Sequence, residues 1–440
     1  MTPLQMVGLV FGLMLLLMAL RVPIAIAMFV AGAAGYSAQA GWGPLVNFLN
    51  YQAFARFASY DLSVIPLFLL MGHMATQGGL SRALFDFASR ITSNLRGGLA
   101  MAAVLASAAF GAICGSSVAT AATITSVAMP AMRRNGYSGG LATGTLAAGG
   151  TLGILIPPSV PLVIYAVLAE QNIAKLFAAA IIPGLVAMLG YLLVVAIVVR
   201  LRPEHAPAPP SAGSQDHHAP ASWSALIPIA IIFTLVFGGI YGGIFTPTEG
   251  ASVGVVATLF AVVWQGELTL QRLANSCLAA AQSTAMIFLI FLGADLMNAA
   301  LALTQVPTQL AGLVQASGLS PLQVVMMILA FYIVLGAVMD ELSMLLLTIP
   351  IFFPVVNAMD FGLPAESVAI WFGILVLSTV GFGMLAPPVG LNVYIVNSMT
   401  KDVPISESYR GVVPFLISDI LRMALILAFP GISLWLVGFV

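Results

Sequence analysis

Two Pro-Pro pairs, placed alike inside long uncharged runs, are the first features of this sequence that suggest chemistry. GILIPP occupies residues 153–158 and GMLAPP occupies residues 383–388. Adjacent prolines remove backbone N–H donors and disfavour helix in the residue before them. A membrane helix broken there frees carbonyl groups that can ligate a cation and N–H groups that can face an anion. We interpret the two breaks as related ion sites rather than as kinks made for packing.

The composition indicates the solvent in which these breaks would lie. Hydrophobic residues make up 61% of the 440 residues and charged residues only 7%, with a mean hydropathy of +1.08. A soluble domain carries about 25% charged residues, so we predict a polytopic membrane protein. The net charge of −1 argues against nucleic acid as a partner. Cys114 and Cys277 lie far apart in apolar segments, so no disulfide or metal framework is expected.

Apolar segments of about 17–25 residues can span a bilayer, and ten segments of the chain meet this requirement. The predicted spans are 4–20, 22–40, 61–79, 138–168, 177–199, 223–243, 249–265, 275–300, 367–400 and 412–440.

Two further uncharged stretches, 97–132 and about 318–358, have polar residues near their centres. Arginines flank both ends of the first stretch, which favours a cytoplasmic location for both ends. Length alone leaves open a re-entrant hairpin or two short spans; we predict hairpins. With both termini outside, twelve of the fourteen Lys and Arg residues would lie on the cytoplasmic side, and only Arg56 and Lys175 outside.

These elements predict an all-α polytopic membrane protein built from two inverted repeats, 1–199 and 223–440. Each repeat contains three spans, a hairpin, a helix broken at Pro-Pro (138–168 and 367–400) and a final span. The second arms of the hairpins are predicted to begin at Gly111 and Gly336. Residues 200–222, rich in Pro, Ala, Ser and His, are predicted to be a disordered cytoplasmic linker. Inverted repeats with broken helices place substrate and coupling ions near the middle of the membrane.

Four segments carry a resemblance to a known family. GAICGSSVATAATITSVAMPAMRRNGYS with GGTLGILIPPSVPLVIYAV, and LGAVMDELSMLLLTIPIFFPVV with GFGMLAPPVGLNVYIV, resemble the large membrane subunit of tripartite ATP-independent periplasmic (TRAP) transporters. The resemblance covers nearly the whole chain and implies a sodium-driven, elevator-type importer of organic acids such as sialic acid, C4-dicarboxylates or keto acids. The absence of a GxxxxGK[ST] sequence agrees with an ion gradient as the driving force.

The resemblance also implies partners and a location. The partners would be a small membrane subunit of four helices and a soluble periplasmic substrate-binding protein. The chain would cross the inner membrane of a bacterium many times, with its N- and C-termini periplasmic, and would use at least two sodium ions as its cofactors.

Both breaks offer the oxygen atoms that a sodium ion needs. The candidate ligands of the first sodium site are Gly115, Ser116, Ser117, Thr151, Gly153 and Ile156, the last through its carbonyl before Pro157. Those of the second are Gly336, Asp340, Thr379, Gly383, Ala386 and Val389. The alternative reading of GSS at 115–117 is close helix packing.

Three residues bear on the strength of the second sodium site: the acidic neighbours Asp340 and Glu341, and Ala386. Asp340 matches the family pattern GxxMD, whereas Glu341 is expected to face water at the hairpin tip. Relatives often have threonine where Ala386 stands, so the second site is weaker here if that hydroxyl is a ligand.

Neither hairpin nor broken helix contains a basic residue at its centre, although the expected substrate is an anion. Binding would therefore rest on bound sodium, helix N-termini and neutral donors. The candidate substrate residues are Ser117, Thr120, Asn392 and Tyr394.

Two other functions were weighed against the importer subunit. A stand-alone sodium-coupled dicarboxylate symporter of related architecture stays open. A membrane enzyme is disfavoured because the sequence lacks His-Glu-x-x-His, Gly-x-Ser-x-Gly and paired histidines in its spans.

Overall fold

A computed structural model describes residues 3–207, 227–306, 312 and 318–440, and all of its described regular structure is helical. The helices of the first half are α1 (Pro3–Ala19), α2 (Ile24–Ala40), α3 (Trp42–Phe57), α4 (Val64–Gln77), α5 (Leu80–Ile91), α6 (Gly98–Cys114), α7 (Ser117–Arg134), α8 (Gly139–Leu155), α9 (Val160–Leu168) and α10 (Ile173–Leu201).

In the second half the first described helix begins at residue 227. The helices of this half are α11 (Ile227–Tyr241), α12 (Pro247–Trp264), α13 (Leu270–Leu303), α14 (Pro321–Gly336), α15 (Glu341–Asn357), α16 (Ala365–Gly383), α17 (Leu391–Ser398), α18 (Ile405–Ala428) and α19 (Gly431–Leu434).

The order of the helices repeats. The pair α6–α7 is a helical hairpin, and so is the pair α14–α15. Each hairpin is followed by a helix that stops at a Pro-Pro pair and resumes, first as α8 and α9, then as α16 and α17. A long helix, α10 or α18, closes each set. The predicted all-helical fold is confirmed, and the predicted hairpins and broken helices appear in it in order.

The second arms of the hairpins begin later in the chain than predicted. Ser116 caps α7 by accepting a hydrogen bond from the backbone N–H of Ala119 at 3.5 Å. Asp340 caps α15 in the same way, accepting from the N–H of Ser343 at 3.1 Å. The second arms therefore begin at Ser117 and Glu341, so the predicted starts at Gly111 and Gly336 are wrong, because both glycines belong to the first arms.

Two helices were not predicted. The helix α3 precedes α4 at an angle of 56°. Its asparagines, glutamine and arginine interrupt the apolar run, so its length and composition do not resemble a membrane span. The helix α5 joins α4 to the first hairpin and buries Leu84 and Phe85 on one side only. In the second half the equivalent of α3 and α4 is one continuous helix of 34 residues, α13.

Five described helices are long and apolar enough to cross a membrane, and seven spans result if each of two bent helix pairs counts as one. Six shorter apolar helices accompany them in the same part of the chain. The count of ten crossings and two re-entrant hairpins therefore stays a prediction.

The predicted linker begins later than residue 200. The helix α10 continues to Leu201, and Pro203–His205 form a short 3-10 helix. The carbonyl of His205 accepts a hydrogen bond from the N–H of Ser138 at 3.0 Å, so this part of the linker is ordered against the start of α8. The rest of the predicted linker, residues 208–222, lies outside the described residues.

Glycines bring each hairpin into backbone contact with its broken helix. A Cβ on Gly111 of α6 would lie 2.7 Å from the Cα of Gly153 in α8, and a Cβ on Gly383 of α16 would lie 2.6 Å from the Cα of Gly336 in α14. Small residues let membrane helices approach in this way, where packing rather than the hydrophobic effect joins them. The same kind of glycine contact therefore joins the hairpin to the broken helix in both halves.

A buried ionic network crosses between the halves. Arg422 and Asp419 of α18 pair at 3.1 Å, and both side chains are buried. The Asp419 carboxylate also accepts from the Tyr191 hydroxyl of α10 at 2.9 Å, and Tyr191 contacts the Thr151 hydroxyl of α8 at 3.0 Å. Arg422 therefore lies inside the protein, and the prediction that it lies on the cytoplasmic side of the membrane is wrong.

A second ion pair joins the helices outside the hairpins. Arg56 of α3 donates to both carboxylate oxygens of Asp295 in α13, at 2.7 Å and 2.5 Å. Close helix contact accompanies it, since a Cβ on Gly32 of α2 would lie 2.7 Å from the backbone nitrogen of Met297 in α13. Helices α2, α3 and α13 therefore form one tightly joined unit.

The Gly383→Ala change should lower the thermal unfolding temperature of the detergent-solubilised protein. The added methyl group overlaps the Gly336 backbone, and overpacking of this kind costs about 1–3 kcal/mol. Gly12→Ala in α1 is the matched control, because nothing lies within 4 Å of the added carbon, and alanine favours helix. Equal unfolding temperatures for Gly383→Ala and the wild type would contradict the described contact.

The Arg422→Met change should destabilise the protein far more than loss of a surface pair. It leaves the buried Asp419 carboxylate without its cation, which costs about 3–5 kcal/mol. Asp402→Asn, which removes the exposed pair with Arg133, should cost less than about 1 kcal/mol. Thermal unfolding measures both. The double change Arg422→Met with Asp419→Leu should recover most of the loss, and a double variant no better than the single one would refute the pairing.

Candidate functional site

Eight helix ends lie at the hairpin tips and the breaks. The helices that end there are α6, α8, α14 and α16, and those that begin there are α7, α9, α15 and α17. Helix C-termini carry partial negative charge and unpaired carbonyls, whereas N-termini carry partial positive charge and unpaired N–H groups. The region can therefore accept a cation and an anion side by side.

The first hairpin tip is bonded to the first break. Gly115 adopts a positive φ of 64°, which glycine allows without strain. Its carbonyl accepts a hydrogen bond from the N–H of Val160, the first residue of α9, at 3.2 Å. A Cβ at Gly115 would lie 3.0 Å from the carbonyl oxygen of Pro158. The turn after the cis Pro157–Pro158 bond is thus in contact with the tip.

The second tip and break are joined by equivalent bonds. The carbonyl of Ala337 accepts from the N–H of Val389 at 3.2 Å and from that of Gly390 at 3.3 Å, next to the cis Pro387–Pro388 bond. In addition, the Tyr409 hydroxyl of α18 contacts the carbonyls of Pro388 at 2.9 Å and Val389 at 2.6 Å. The Val389 carbonyl, a predicted sodium ligand, is therefore already engaged by a side chain from outside the hairpin.

The two halves meet through Asn392. This residue of α17 is fully buried, and its Nδ2 donates to the Ser117 Oγ at 2.6 Å and to the Ala147 carbonyl at 3.2 Å. Its Oδ1 is buried without a hydrogen-bond partner among the described residues, and so is the Thr120 Oγ1 of α7. The structure thus brings together three predicted substrate residues, Ser117, Thr120 and Asn392, with two oxygen atoms unused.

The predicted first sodium site is only partly assembled. A Cβ on Gly153 would lie 3.0 Å from both the Ser116 carbonyl oxygen and the Thr120 Oγ1, so these groups adjoin Gly153 in α8. The Thr151 hydroxyl instead donates to the Ala148 carbonyl at 2.7 Å and contacts Tyr191. Thr151 thus belongs to the network around Asp419.

Ile156 closes the first broken helix. Its N–H donates to the Leu152 carbonyl at 2.9 Å, and the residue is partly exposed at the end of α8. Its position just before the Pro157–Pro158 pair leaves its carbonyl at the break, as predicted.

The predicted second sodium site shows the same division. Gly336 and Gly383 touch, and Asp340 lies at the tip as the cap of α15. The Thr379 hydroxyl donates to the Leu375 carbonyl at 2.8 Å and lies 3.3 Å from the Met423 sulfur, so it faces α18 instead of the hairpin. Ala386 is buried within the break.

Two residues lie where the sequence analysis did not expect them. Tyr394 is 57% exposed on α17, away from the buried group formed by Ser117, Thr120 and Asn392. Glu341 is only 5% exposed, so the expectation that it faces water is wrong. Its carboxyl group lies near the backbone N–H of Ser117 in the other hairpin.

A cavity of about 790 Å³ adjoins α7 beside this group. Thr123, one helical turn after Thr120, lines it, together with Ser126 one turn further on. The opposite wall comes from α5 and from the connection between α12 and α13, with Arg82, Arg90, Arg272, Asp86 and Glu267 among the lining residues. The hydroxyl groups of Thr123 and Ser126 thus face a charged cavity, one turn and two turns along α7 from the buried Thr120.

Comparisons with known proteins agree with this architecture. Residues 11–432 match the family described as DctM: Tripartite ATP-independent periplasmic transporter, DctM component. The chain is 35% identical over 393 residues to the C4-dicarboxylate TRAP transporter large permease protein DctM of Pseudomonas aeruginosa, covering 88% of this chain and 89% of that protein. It is 30% identical over 434 residues to the sialic acid TRAP transporter large permease protein SiaM of Vibrio cholerae, covering 98% of each.

The fold also resembles a solved transporter. The crystal structure of the Alcanivorax borkumensis YdaH transporter aligns over 89% of this chain and 90% of that one, with a TM-score of 0.63 and 14% sequence identity. At this identity the likeness concerns the fold alone. Because the family match extends over almost the entire chain, the protein belongs to the DctM family and is the large, multi-pass membrane component of a TRAP transporter.

Proposed function

We propose that this chain carries organic acids across the bacterial inner membrane, driven by sodium, together with a separate small membrane subunit and a periplasmic binding protein. The observation that supports this best is the meeting of four helix C-termini and four N-termini at the hairpin tips and breaks. Carbonyl ends suit sodium, and N–H ends suit a carboxylate. An anion and its coupling ions can therefore bind without a buried arginine.

The assignment of an organic acid as substrate draws on the named relatives and on the site. The relatives are named for C4-dicarboxylates and sialic acid, and both substrates carry a carboxylate. In this chain the buried Thr120 hydroxyl and the helix N-terminus at Leu391 are the groups offered to such an anion. We place the exit of the substrate to the cytoplasm at the cavity beside α7, which is lined by charged side chains.

An elevator motion accounts for the division of the fold. The hairpins, the broken helices and the helices α10 and α18 form the mobile part, held together by the tip bonds and the Asp419 network. Helices α1–α4 and α11–α13 form the scaffold, joined by the Arg56–Asp295 pair. The two parts touch at a small residue, since a Cβ on Gly72 of α4 would lie 2.8 Å from the Cys114 carbonyl oxygen. A contact made by a glycine has no long side chains that interlock, so the mobile part can slide along the scaffold.

The double change Ser116→Ala with Asp340→Asn should reduce sodium-driven uptake at least about tenfold, the effect of some 1.4 kcal/mol or more on ion binding. The serine change removes a hydroxyl at the first tip, and the asparagine removes a charge at the second while still capping α15. Uptake is measured in proteoliposomes as a function of external sodium. Ser320→Ala, which removes a helix cap at the start of α14, should transport nearly as the wild type does. Unchanged sodium dependence in the double variant would show that both sites are misplaced.

Net uptake should require all three components and should not respond to ATP. The buried site offers an anion only neutral donors and helix ends, so we expect weak binding that depends on delivery of substrate by the binding protein. The measurement compares proteoliposomes holding the chain alone, the chain with the small subunit, and both with the loaded binding protein, under an inward sodium gradient. If the chain alone concentrates substrate as fast as the full set, it is a stand-alone symporter.

A further inference from the structure

Glu341 occupies the contact between the two hairpin tips. Glu341 is the first residue of α15, and only 5% of its surface is exposed. Its carboxyl group lies near the backbone N–H of Ser117 at the start of α7. One carboxylate oxygen, Oε2, is buried and has no hydrogen-bond partner within the described part of the chain. A buried carboxyl group thus lies between the two repeats in the candidate site.

The groups around Glu341 do not neutralise it. On its own side the neighbouring charge is Asp340, another carboxylate, and on the facing hairpin the titratable neighbour is the Cys114 thiol. None of the ion pairs formed by the described residues includes Glu341. The N-terminus of α7 supplies only a partial positive charge. An ionised carboxylate buried in a membrane protein without a cation is strongly unfavourable.

Unused oxygen atoms lie on the residues next to this carboxylate. Among the described residues the Thr120 Oγ1, the Asn392 Oδ1 and the Glu341 Oε2 are buried with no oxygen or nitrogen partner, and the Thr120 hydroxyl lies beside the Cys114 thiol. Asn392 is bonded to Ser117, the residue whose N–H faces Glu341, and Thr120 follows Ser117 by one turn of α7. One carboxylate oxygen with neutral hydroxyl and amide oxygens is a suitable set for a monovalent cation.

We propose that Glu341 is the charged ligand of a further sodium site between the hairpin tips, distinct from the two sites at the Pro-Pro breaks. The inference rests on the proposed function, because it adds an ion to the same transport site. The bound cation screens Glu341 from the incoming carboxylate of the substrate, which would otherwise be repelled. Sodium therefore binds here before the organic anion, and the ion joins the two repeats when it binds.

The test measures binding of radioactive sodium to the purified wild-type chain and variants in detergent at constant pH, without any transport step. Glu341→Gln should bind one sodium ion fewer per chain, and Glu341→Asp should keep the ion with at least a tenfold weaker affinity because its carboxylate is shorter. Glu366→Gln, which removes an exposed carboxylate paired with Lys175, is the matched control and should bind sodium as the wild type does.

A second measurement shows whether Glu341→Gln is folded. In sodium-free choline buffer this variant should unfold at a temperature equal to or above that of the wild type, because glutamine has the shape of the side chain and carries no charge that would need a cation. Adding sodium should raise its unfolding temperature less than that of the wild type, since a ligand stabilises the state that binds it.

The outcomes separate this inference from the proposed function. Sodium binding by Glu341→Gln equal in number and affinity to the wild type overturns the site while leaving the other two sodium sites intact. No sodium binding by the wild type overturns both. If sodium stoichiometry is unchanged and the variant instead loses a dependence of uptake on pH, the carboxylate binds a proton and the assignment of sodium is wrong.

Discussion

The hydrogen bonds between each hairpin tip and the facing break are the interaction on which the rest of the structure depends. Inside a membrane no water is present to satisfy the backbone groups that a broken helix leaves free. The carbonyl of Gly115 satisfies the N–H of Val160, and the carbonyl of Ala337 satisfies those of Val389 and Gly390. Each hairpin thus satisfies backbone groups that the break in the facing helix leaves free. The glycine contacts at Gly111 and Gly383 follow from this, because the bonds form only if the backbones approach closely.

The sequence was sufficient to predict which elements repeat. Two Pro-Pro pairs and two polar centres in uncharged stretches mark where helices stop, because these residues act on the backbone directly. The family resemblance then connected them with transport. Gly115, Ser116, Ser117 and Gly153 do lie together, and Asn392 bridges to them from the other half.

What the sequence could not supply is the direction in which a side chain points. Thr151 and Thr379 occupy the broken helices as predicted, yet their hydroxyls face α10 and α18. In an almost wholly apolar helix no polar face indicates the rotation about the axis. Glu341 was placed in water because acids are usually exposed, whereas the tip-to-tip contact that buries it involves residues more than 200 positions apart. The helix α3 was missed because its polar residues interrupt the apolar run.

The helix outside the second hairpin, α13, differs in shape from its first-half counterpart, the pair α3 and α4. The 34 residues of α13 extend for about 51 Å at 1.5 Å per residue, well beyond the roughly 30 Å hydrocarbon layer of a bilayer. The corresponding first-half chain is divided into α3 and α4 at an angle of 56°. One side of the scaffold must therefore tilt or protrude while the other bends along the surface. A thicker or thinner bilayer therefore mismatches the long helix and the bent pair by different amounts.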